Sequence, residues 1–184
     1  MKQPEESDGP DTLARLVATR WSTAHASGDG DIVRPGCDAV ALDAFEAKFG
    51  VLLPRMFRAL YALSDGTASP DAHLLSFYPI GVVPHYTETD GSGRCWVGFA
   101  DYASSRSLFL MRFADGVPPE VLADLGSSTR TLEERAVPVA DSFDAFLQTY
   151  LQEPEHLVHV PQAPAVAAAF TLVRSRAPHR LSPL

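Results

Sequence analysis

The most strongly patterned stretch of the chain covers positions 41–66 and predicts two consecutive helices. Apolar side chains recur there every three or four positions, which places them on one face of a helix. Asp38 is a suitable N-terminal cap for the first helix, and Gly50 is a suitable stop. Pro54 fits the first turn of the second helix, where its missing N–H costs no hydrogen bond. Asp65-Gly66 then closes the pair, because glycine tolerates the left-handed conformation.

Two amphipathic helices flank this pair. The first follows Asp11 and places four apolar residues at helical spacing, namely Leu13, Leu16, Val17 and Trp21. The second is capped by Asp141 or Ser142 and ends at Pro154. Its apolar stripe consists of Phe143, Phe146, Leu147, Tyr150 and Leu151. We expect a linker over 154–163 and then a short helix that begins at Pro164.

Between the helices, short runs rich in aromatic and β-branched residues predict strands. These runs cover 74–83, 94–100, 107–113, 120–125 and 137–140. Pro79 and Gly81 interrupt the first run, which is therefore an edge strand or two short strands. The run 120–125 is either a partner strand or a short helix, and a turn-rich loop is expected over 87–93. Because the connections are too short for parallel crossovers, the strands predict an antiparallel meander.

The 184 residues provide enough apolar surface for one substantial core. Since no apolar run approaches the ~18 residues of a membrane span, we expect no membrane association. The N-terminal sequence also lacks the pattern of a secretory signal, so we expect a cytoplasmic protein. One disulfide between Cys37 and Cys95 is possible, but two unpaired thiols are preferred because that compartment is reducing.

The chain is acidic, with 23 acidic and 15 basic residues and a formal net charge of −8. Because phosphate binding requires a basic surface, direct binding to nucleic acid is not expected. This excess of acidic side chains either attracts a basic partner or forms only an ordinary solvated surface.

Neither a metal site nor a phosphate-binding loop is expected. His156 and His159 are three positions apart, but prolines bracket them and no cysteine accompanies them, so surface histidines are the preferred interpretation. The glycine-rich run 90–93 lacks the lysine and the spacing of a phosphate-binding loop, so it predicts a turn.

A catalytic set can be built from Cys95, His85 and Asp90, or from His85 and Asp101, because a reactive thiolate needs a nearby base. Nothing in the spacing of these residues requires such a set. Cys95 also lies within a predicted strand, where a small buried residue is ordinary. We therefore expect a non-enzymatic protein without a cofactor, and a small hydrolase-type enzyme is the less favoured alternative.

The aromatic residues of the predicted sheet have two interpretations. Most of them are expected in the core, where aromatic rings are usually buried. Alternatively, some join acidic residues in a partner-binding rim, because Tyr and Trp are enriched in binding hot spots. That predicted rim consists of Tyr86, Glu88, Asp90, Trp96, Asp101 and Tyr102.

Two groups of residues carry a resemblance to a known family. The first group is Glu46, Gly50, Leu53, Pro54 and Asp65-Gly66, and the second is Ser142, Phe143, Phe146 and Leu147. In this order, with a strand meander between them, they resemble the SUKH superfamily, also called the cell-wall-assembly or glucan-synthesis regulator family. The resemblance covers roughly 38–152. It divides the chain into an acidic leader with an N-terminal helix (1–37), a SUKH-like domain (38–152) and a C-terminal extension (153–184).

The resemblance implies an α+β fold, with a twisted, mostly antiparallel sheet of about 4–6 strands and helices packed around it. It also implies a binding role without catalysis. Bacterial members are mostly inferred to be immunity proteins that neutralise a cognate toxin of polymorphic toxin systems, and fungal members are regulatory interaction hubs. The function expected here is therefore an immunity protein bound to a basic toxin domain. A regulatory adaptor or scaffold without a toxin is the alternative. We expect a monomer or a weak homodimer.

Overall fold

A computed structural model describes residues 10–23, 34–103, 107–124, 126 and 131–158. The helices of these residues are α1 (Pro10–Thr23), α2 (Ala39–Phe49), α3 (Arg55–Leu63), α4 (Leu132–Arg135), α5 (Phe143–Gln152) and α6 (Pro154–Val158). The strands are β1 (Leu75–Phe77), β2 (Thr87–Thr89), β3 (Cys95–Tyr102), β4 (Ser107–Ala114), β5 (Val117–Asp124) and β6 (Ala136–Ala140). A short 3-10 helix, Val83–Tyr86, precedes β2. The fold is α+β, as predicted from the sequence.

The strands form one antiparallel sheet in the order β1-β3-β4-β5-β6. Strand β2 also pairs with β3, so β1 and β2 share one edge of β3. Strand β1 pairs with the end of β3 at Ala100–Tyr102, whereas β2 pairs with its beginning at Cys95–Val97. Strands β3 to β6 form the predicted meander, because each follows its neighbour through a short connection.

The bent pair of α2 and α3 forms where the sequence predicts it. Asp38 caps α2 by accepting a 2.8 Å hydrogen bond from the backbone N–H of Ala41. Gly50 ends α2 with φ of 67°, a left-handed conformation that suits glycine. Helix α3 ends at Leu63, two residues before the predicted Asp65-Gly66 stop. Asp65 instead accepts a 2.6 Å hydrogen bond from the N–H of Ile80, which attaches the end of this pair to the segment after β1.

The main core lies between the sheet and three helices, α1, α3 and α5. Its centre is aromatic, with edge-to-face and tilted ring contacts between the helices and the sheet. These contacts join Trp21 to Phe77, Phe143 to Phe99 and Phe146 to Phe109. We call this helix-covered side of the sheet the inner face. The phenylalanines of α5 are therefore buried against the sheet, as the amphipathic stripe predicts.

Helix α1 belongs to this core rather than standing apart from it. Val17 and Trp21 are completely buried. Arg20 donates 2.8 Å hydrogen bonds from its guanidinium to the carbonyls of Tyr150 and Leu151, near the end of α5. Leu16 is an exception to the predicted apolar stripe, because its side chain is 52% exposed.

Two local predictions need correction, and the structure decides one alternative that the sequence left open. The loop predicted over 87–93 is wrong at its start, because Thr87–Thr89 forms β2 against β3. The linker predicted from 154 is also wrong, since Pro154 begins α6; proline is well tolerated in a first turn. The segment 120–125, left open between strand and helix, is part of strand β5. The acidic leader before Pro10 and the helix predicted after Pro164 lie outside the described residues.

Candidate functional site

The face of the sheet opposite α1, α3 and α5 carries a second, smaller apolar cluster. Trp96, Leu110 and Leu122 form its buried centre, one residue from each of three adjacent strands. Leu132 of α4 packs on this cluster, together with Leu108 and Ala136. We call this side the outer face. Within the described residues, its cover consists of the single turn of α4 and the segment around Tyr86.

A groove of about 500 Å³ runs along the outer face between α4 and the turn that joins β2 to β3. We call it the outer groove. Its lining comprises Glu88, Asp90, Gly91, Ser92, Trp96, Thr131, Leu132, Glu133 and Arg135. An adjoining cavity of about 170 Å³ shares Glu88, Leu132 and Arg135 with it and extends towards His85 and Tyr86.

Asp90 organises the turn at one wall of the outer groove. Its Oδ1 accepts hydrogen bonds from the Ser92 hydroxyl at 2.6 Å, the Ser92 N–H at 2.8 Å and the Arg94 N–H at 3.1 Å. Its Oδ2 accepts a 3.1 Å hydrogen bond from the indole Nε1 of Trp96. The hydrogen bonds from the Ser92 hydroxyl and then from Trp96 hold the pKa of Asp90 well below its ordinary value. Asp90 is therefore a fixed negative charge at neutral pH.

Ion pairs surround the cluster under the groove. Arg94 pairs with Glu133 of α4, and Arg112 pairs with Glu120 across β4 and β5. The Arg112 guanidinium also lies 5.5 Å from the centre of the Trp96 ring, within cation–π range.

Arg135 extends this network to the far wall of the groove. Its Nε donates a 2.8 Å hydrogen bond to Oδ1 of Asp124, which is 8% exposed. Glu88, by contrast, is exposed in the groove and makes no ion pair within the described parts of the chain. Glu88 is therefore the acidic side chain in the groove whose charge is most available to a partner.

The structure places five of the six predicted rim residues on the outer face. Glu88 is the register partner of Trp96, so the two side chains project to the same side. Tyr86 is 39% exposed and stacks on Tyr78 with ring centres 4.5 Å apart. It lies directly over Gly98, where a Cβ atom would come within 2.7 Å of the Tyr86 Cβ.

The predicted rim differs from the observed surface at its other members. Trp96 is completely buried and forms the floor of the outer groove rather than its rim. Asp101 is 6% exposed and is not part of the groove lining. Tyr102 packs against the main core, with the buried Leu75 as its register partner. A β-bulge between Gly98 and Ala100 explains this placement. One extra residue reverses the alternation after it and turns Tyr102 to the inner face.

The structure separates the thiol from the base in the predicted catalytic set of Cys95, His85 and Asp90. Cys95 lies in the main core on the inner face, and its burial raises the pKa of the thiol. His85 lies on the other side, where it lines the small cavity beside the outer groove. Asp90, the third member of the predicted set, is held by Ser92 and Trp96 on the outer face.

The described residues also contain no group of three or more His, Cys, Asp or Glu side chains placed to hold a metal ion. His156 contacts Glu153, one turn away at 2.5 Å, and His159 lies outside the described residues. Within the same residues, none of the helices has the length and hydrophobicity needed to cross a membrane.

The sequence patterns did not indicate the residues that line the groove on the side of α4. Glu133 pairs with Arg94 and Arg135 pairs with Asp124, and both partners are distant in sequence, so no local pattern indicates them. Helix α4 does have a local signal, because Thr131 and Glu134 form a reciprocal capping box. The Thr-x-x-Glu spacing is visible in the sequence and marks a helix start.

The residues that carried the family resemblance have structural roles, since they join helices or cap them. The carboxylate of Glu46 accepts a 2.8 Å hydrogen bond from the N–H of Leu53 and pairs with Arg58 at 2.8 Å, which joins α2 to α3. Ser142 caps α5 by accepting a 3.1 Å hydrogen bond from the N–H of Ala145. Neither group lines the outer groove.

Comparison with known proteins agrees with this fold. The family model described as SMI1 / KNR4 family (SUKH-1) matches residues 36–149, which is more than half of the chain. The match covers all strands and the helices α2 to α4, and it ends within α5. No individual curated sequence gives a significant match. With both the ordered motifs and the antiparallel α+β sheet in place, the chain belongs to the SMI1 / KNR4 family (SUKH-1) of the SUKH superfamily.

Proposed function

We propose that this chain is a non-enzymatic protein-binding domain whose outer groove docks a basic protein, as an immunity protein does when it neutralises a bacterial toxin. The proposal is carried by one observation, the open outer face. The helices α1, α3 and α5 pack on the inner face, whereas the outer groove is a concave surface with an apolar floor and charged walls. Such a combination of apolar centre and polar surround is typical of protein interfaces.

The charges of the groove favour a basic partner. Among the described residues, three acidic side chains line it, Glu88, Asp90 and Glu133, against one cation, Arg135. Glu133 is paired with Arg94, so Glu88 and Asp90 carry most of this negative charge. Asp90 stays ionised at neutral pH, and Glu88 makes no ion pair with the residues described. An acidic groove on a chain of net charge −8 attracts a positively charged partner over distances of about a Debye length.

A binding role also agrees with the chemistry of the site. Asp90 is the groove carboxylate whose pKa is strongly lowered. It accepts four hydrogen bonds, which hold its side chain in place in the turn. Cys95 and His85 lie on opposite faces of the sheet, so the nucleophile and base of the enzyme hypothesis are separated. These placements support a surface that recognises a partner without reacting with it.

A growth-rescue experiment tests this function. The chain is co-expressed with the toxin domain encoded beside it, and growth is compared with that of cells expressing the toxin alone. We expect the native chain to restore growth, and Glu88→Lys to reduce protection, because it places a positive charge in the groove opposite a basic partner. With the purified pair, the same substitution should lower the association rate by about tenfold at low salt.

Glu155→Lys is the matched control, since it makes the same change of charge at an exposed position on α6. It should protect as well as the native chain. Equal protection by both variants would contradict the assignment of the groove. Failure of the native chain to protect against the toxin would favour the regulatory adaptor, which uses the same family fold without a toxin.

A further inference from the structure

We propose that the small cavity beside the outer groove receives one arginine side chain of the partner. We call it the side cavity; it has a volume of about 170 Å³ and lies between Tyr86, Leu108 and Arg135. This proposal rests on the proposed function of the outer groove and deepens it, because it names the side-chain chemistry that the partner must present. The side cavity shares Glu88, Leu132 and Arg135 with the groove, so a segment bound in the groove can extend one side chain into it.

The volume of the side cavity corresponds to one large side chain. A protein cavity of about 150 Å³ holds one benzene molecule, and a water molecule occupies about 30 Å³ of liquid. A volume of about 170 Å³ therefore accommodates one guanidinium group with its aliphatic stem, but not a stretch of peptide backbone. Pockets that bury one anchoring side chain are typical of the residues that dominate binding energy at protein interfaces, and arginine is enriched among them.

Contacts within the chain fix two walls of the side cavity. The ring of Tyr86 stacks on that of Tyr78 with centres 4.5 Å apart, and Tyr86 lies directly over Gly98, whose missing side chain permits this approach. Arg135 forms another wall, and Asp124 holds it through a 2.8 Å hydrogen bond. Because these walls are already in place, the binding of a side chain requires little further ordering of the site, which favours affinity.

Leucine side chains supply the apolar part of the side cavity. Leu108 and Leu110 lie two positions apart on β4, so both project to the outer face, and Leu132 packs beside them from α4. The methylene groups of an arginine side chain can bury their surface against these leucines while the guanidinium reaches a polar group. A lining of this kind suits a long amphipathic side chain.

The charge of the lining favours a cation. Besides His85, the ionisable acids and bases of the lining are the carboxylates of Glu88 and Asp124 and the guanidinium of Arg135. Arg135 and Asp124 offset each other in an ion pair, whereas Glu88 makes no ion pair with the described residues. The carboxylate of Glu88 can therefore accept paired hydrogen bonds from an arginine of the partner.

Arginine fits this site better than lysine or an aromatic residue. Its guanidinium is more weakly hydrated than an ammonium group, forms a planar fork that matches a carboxylate, and packs on aromatic rings such as that of Tyr86. An aromatic side chain would fill the apolar part of the side cavity but would offer no cation to Glu88, whose carboxylate it would partly cover. We therefore expect the partner to present an arginine beside the segment that lies in the outer groove.

Amino-acid probes test the side cavity without a toxin. The full chain, labelled with ¹³C in its leucine methyl groups and ¹⁵N in its tryptophans, is titrated with N-acetyl-arginine-N-methylamide or with its citrulline counterpart, which has a similar shape but no charge. Leu108 lines the side cavity and not the groove, and Trp96 lines the groove and not the side cavity. We expect saturable shifts of the Leu108 methyl signals and about three- to tenfold tighter binding of the arginine probe.

Glu88→Gln keeps the shape of the side chain and removes its charge. We expect this variant to bind the arginine probe only as tightly as the citrulline probe, whose own affinity should not change. Glu155→Gln is the matched control, because it removes one charge at an exposed position on α6. It should bind both probes as the native chain does.

Four results would overturn the proposal. The first is equal affinity for the arginine and citrulline probes, and the second is tighter binding of N-acetyl-phenylalanine-N-methylamide, which would make the side cavity a site for an aromatic side chain. The third is a shift of the Trp96 indole signal without shifts at Leu108, which would place the probe in the groove. The fourth is the absence of saturation up to about 0.1 M of the arginine probe, where even a weak ion pair in a fitted cavity should be formed.

The proposed function and the arginine site can fail separately. Growth rescue by the native chain together with equal binding of the two probes would contradict the arginine site and leave the binding role of the groove. Selective binding of the arginine probe together with failure of any toxin rescue would contradict the immunity role alone, because the probe measurement involves no toxin.

Discussion

The hydroxyl of Tyr150 donates a 2.6 Å hydrogen bond to Oδ2 of Asp71, and both residues are buried. The other carboxylate oxygen of Asp71 accepts hydrogen bonds from the N–H groups of His73 and Leu75 at 2.8 and 2.9 Å. One carboxylate thus attaches α5 to the loop that leads into β1. Burial, followed by the nearby charge of Asp71, raises the pKa of Tyr150, so its hydroxyl keeps the proton that it donates.

Tyr150→Phe tests this connection. Removing the hydroxyl leaves a buried carboxylate oxygen without its donor, and we expect the free energy of unfolding to fall by about 1–3 kcal/mol. Urea denaturation monitored by tryptophan fluorescence measures the change. Tyr86→Phe is the control, because Tyr86 is 39% exposed, and its substitution should change stability by less than about 0.5 kcal/mol. Equal effects of the two substitutions would show that the Asp71 contact contributes nothing.

Alanine substitutions at two glycines with left-handed backbone conformation separate two free-energy costs. One is the cost of the unfavourable φ angle, and the other is the cost of a steric clash of the added Cβ. Gly50 and Gly66 have φ of 67° and 72°, so alanine is disfavoured at both by about 1–2 kcal/mol. A Cβ at Gly50 would meet nothing within 4 Å, whereas one at Gly66 would lie 2.5 Å from the carbonyl oxygen of Phe77. Gly66→Ala should therefore cost at least about 1 kcal/mol more than Gly50→Ala in thermal or urea unfolding. Similar costs would contradict the close approach of β1 to this turn.

Glu46 should contribute more to stability than its neighbour Asp43, although both pair with Arg58. The side chain of Glu46 is 16% exposed and also accepts the N–H of Leu53, whereas the side chain of Asp43 is 64% exposed. We expect Glu46→Ala to cost about 1–3 kcal/mol and Asp43→Ala about 0–1 kcal/mol in urea unfolding. The reverse order would show that the link between α2 and α3 depends on the surface pair.

The thiol of Cys37 should be unreactive in the folded protein. Burial, with a further contribution from the charge of Asp65, raises its pKa from 9.0 to about 11. A raised pKa favours the protonated folded state, so the contribution to stability is complete below pH 9.0 and is lost as the pH rises through about 11. Alkylation by iodoacetamide at pH 8, followed by mass spectrometry of the Cys37 peptide, should be at least about tenfold slower in buffer than in urea. Equal rates would show an ordinary, accessible thiol.

The helices α1, α2, α3 and α5 and the antiparallel meander were predictable because their signals are local. The spacing of Phe143 and Phe146, the cap at Ser142 and the stop at Gly50 each specify structure within a few residues. Strand β2 was missed because Thr87–Thr89 is polar and mostly exposed, and only its pairing with β3, several residues later, makes it a strand. Pairing across such a distance leaves no periodic pattern in the sequence.

The composition of the site was predictable only in part, for a related reason. Trp96 and Tyr102 are six positions apart, so simple alternation would place them on the same face. The bulge at Gly98 and Ala100 reverses the alternation and separates them, and no residue pattern announces it. The acids Glu88 and Asp90 were predicted because they lie close to Trp96 in the sequence. Glu133 was not predicted, because it belongs to α4 and is distant from Trp96 in the sequence.

The two tryptophans of the chain test the central claim most directly, because they report on opposite faces of the sheet. Trp96 lies under the outer groove with its indole N–H bonded to Asp90, and Trp21 lies in the main core against Phe77. In a ¹H–¹⁵N spectrum of the labelled chain, each indole gives one signal, assigned by Trp21→Phe and Trp96→Phe variants. Addition of the proposed partner, an unlabelled toxin domain, should shift or broaden the Trp96 signal and leave that of Trp21 in place. A complex that moves the Trp21 signal and leaves that of Trp96 unchanged would contradict a partner bound at the outer face.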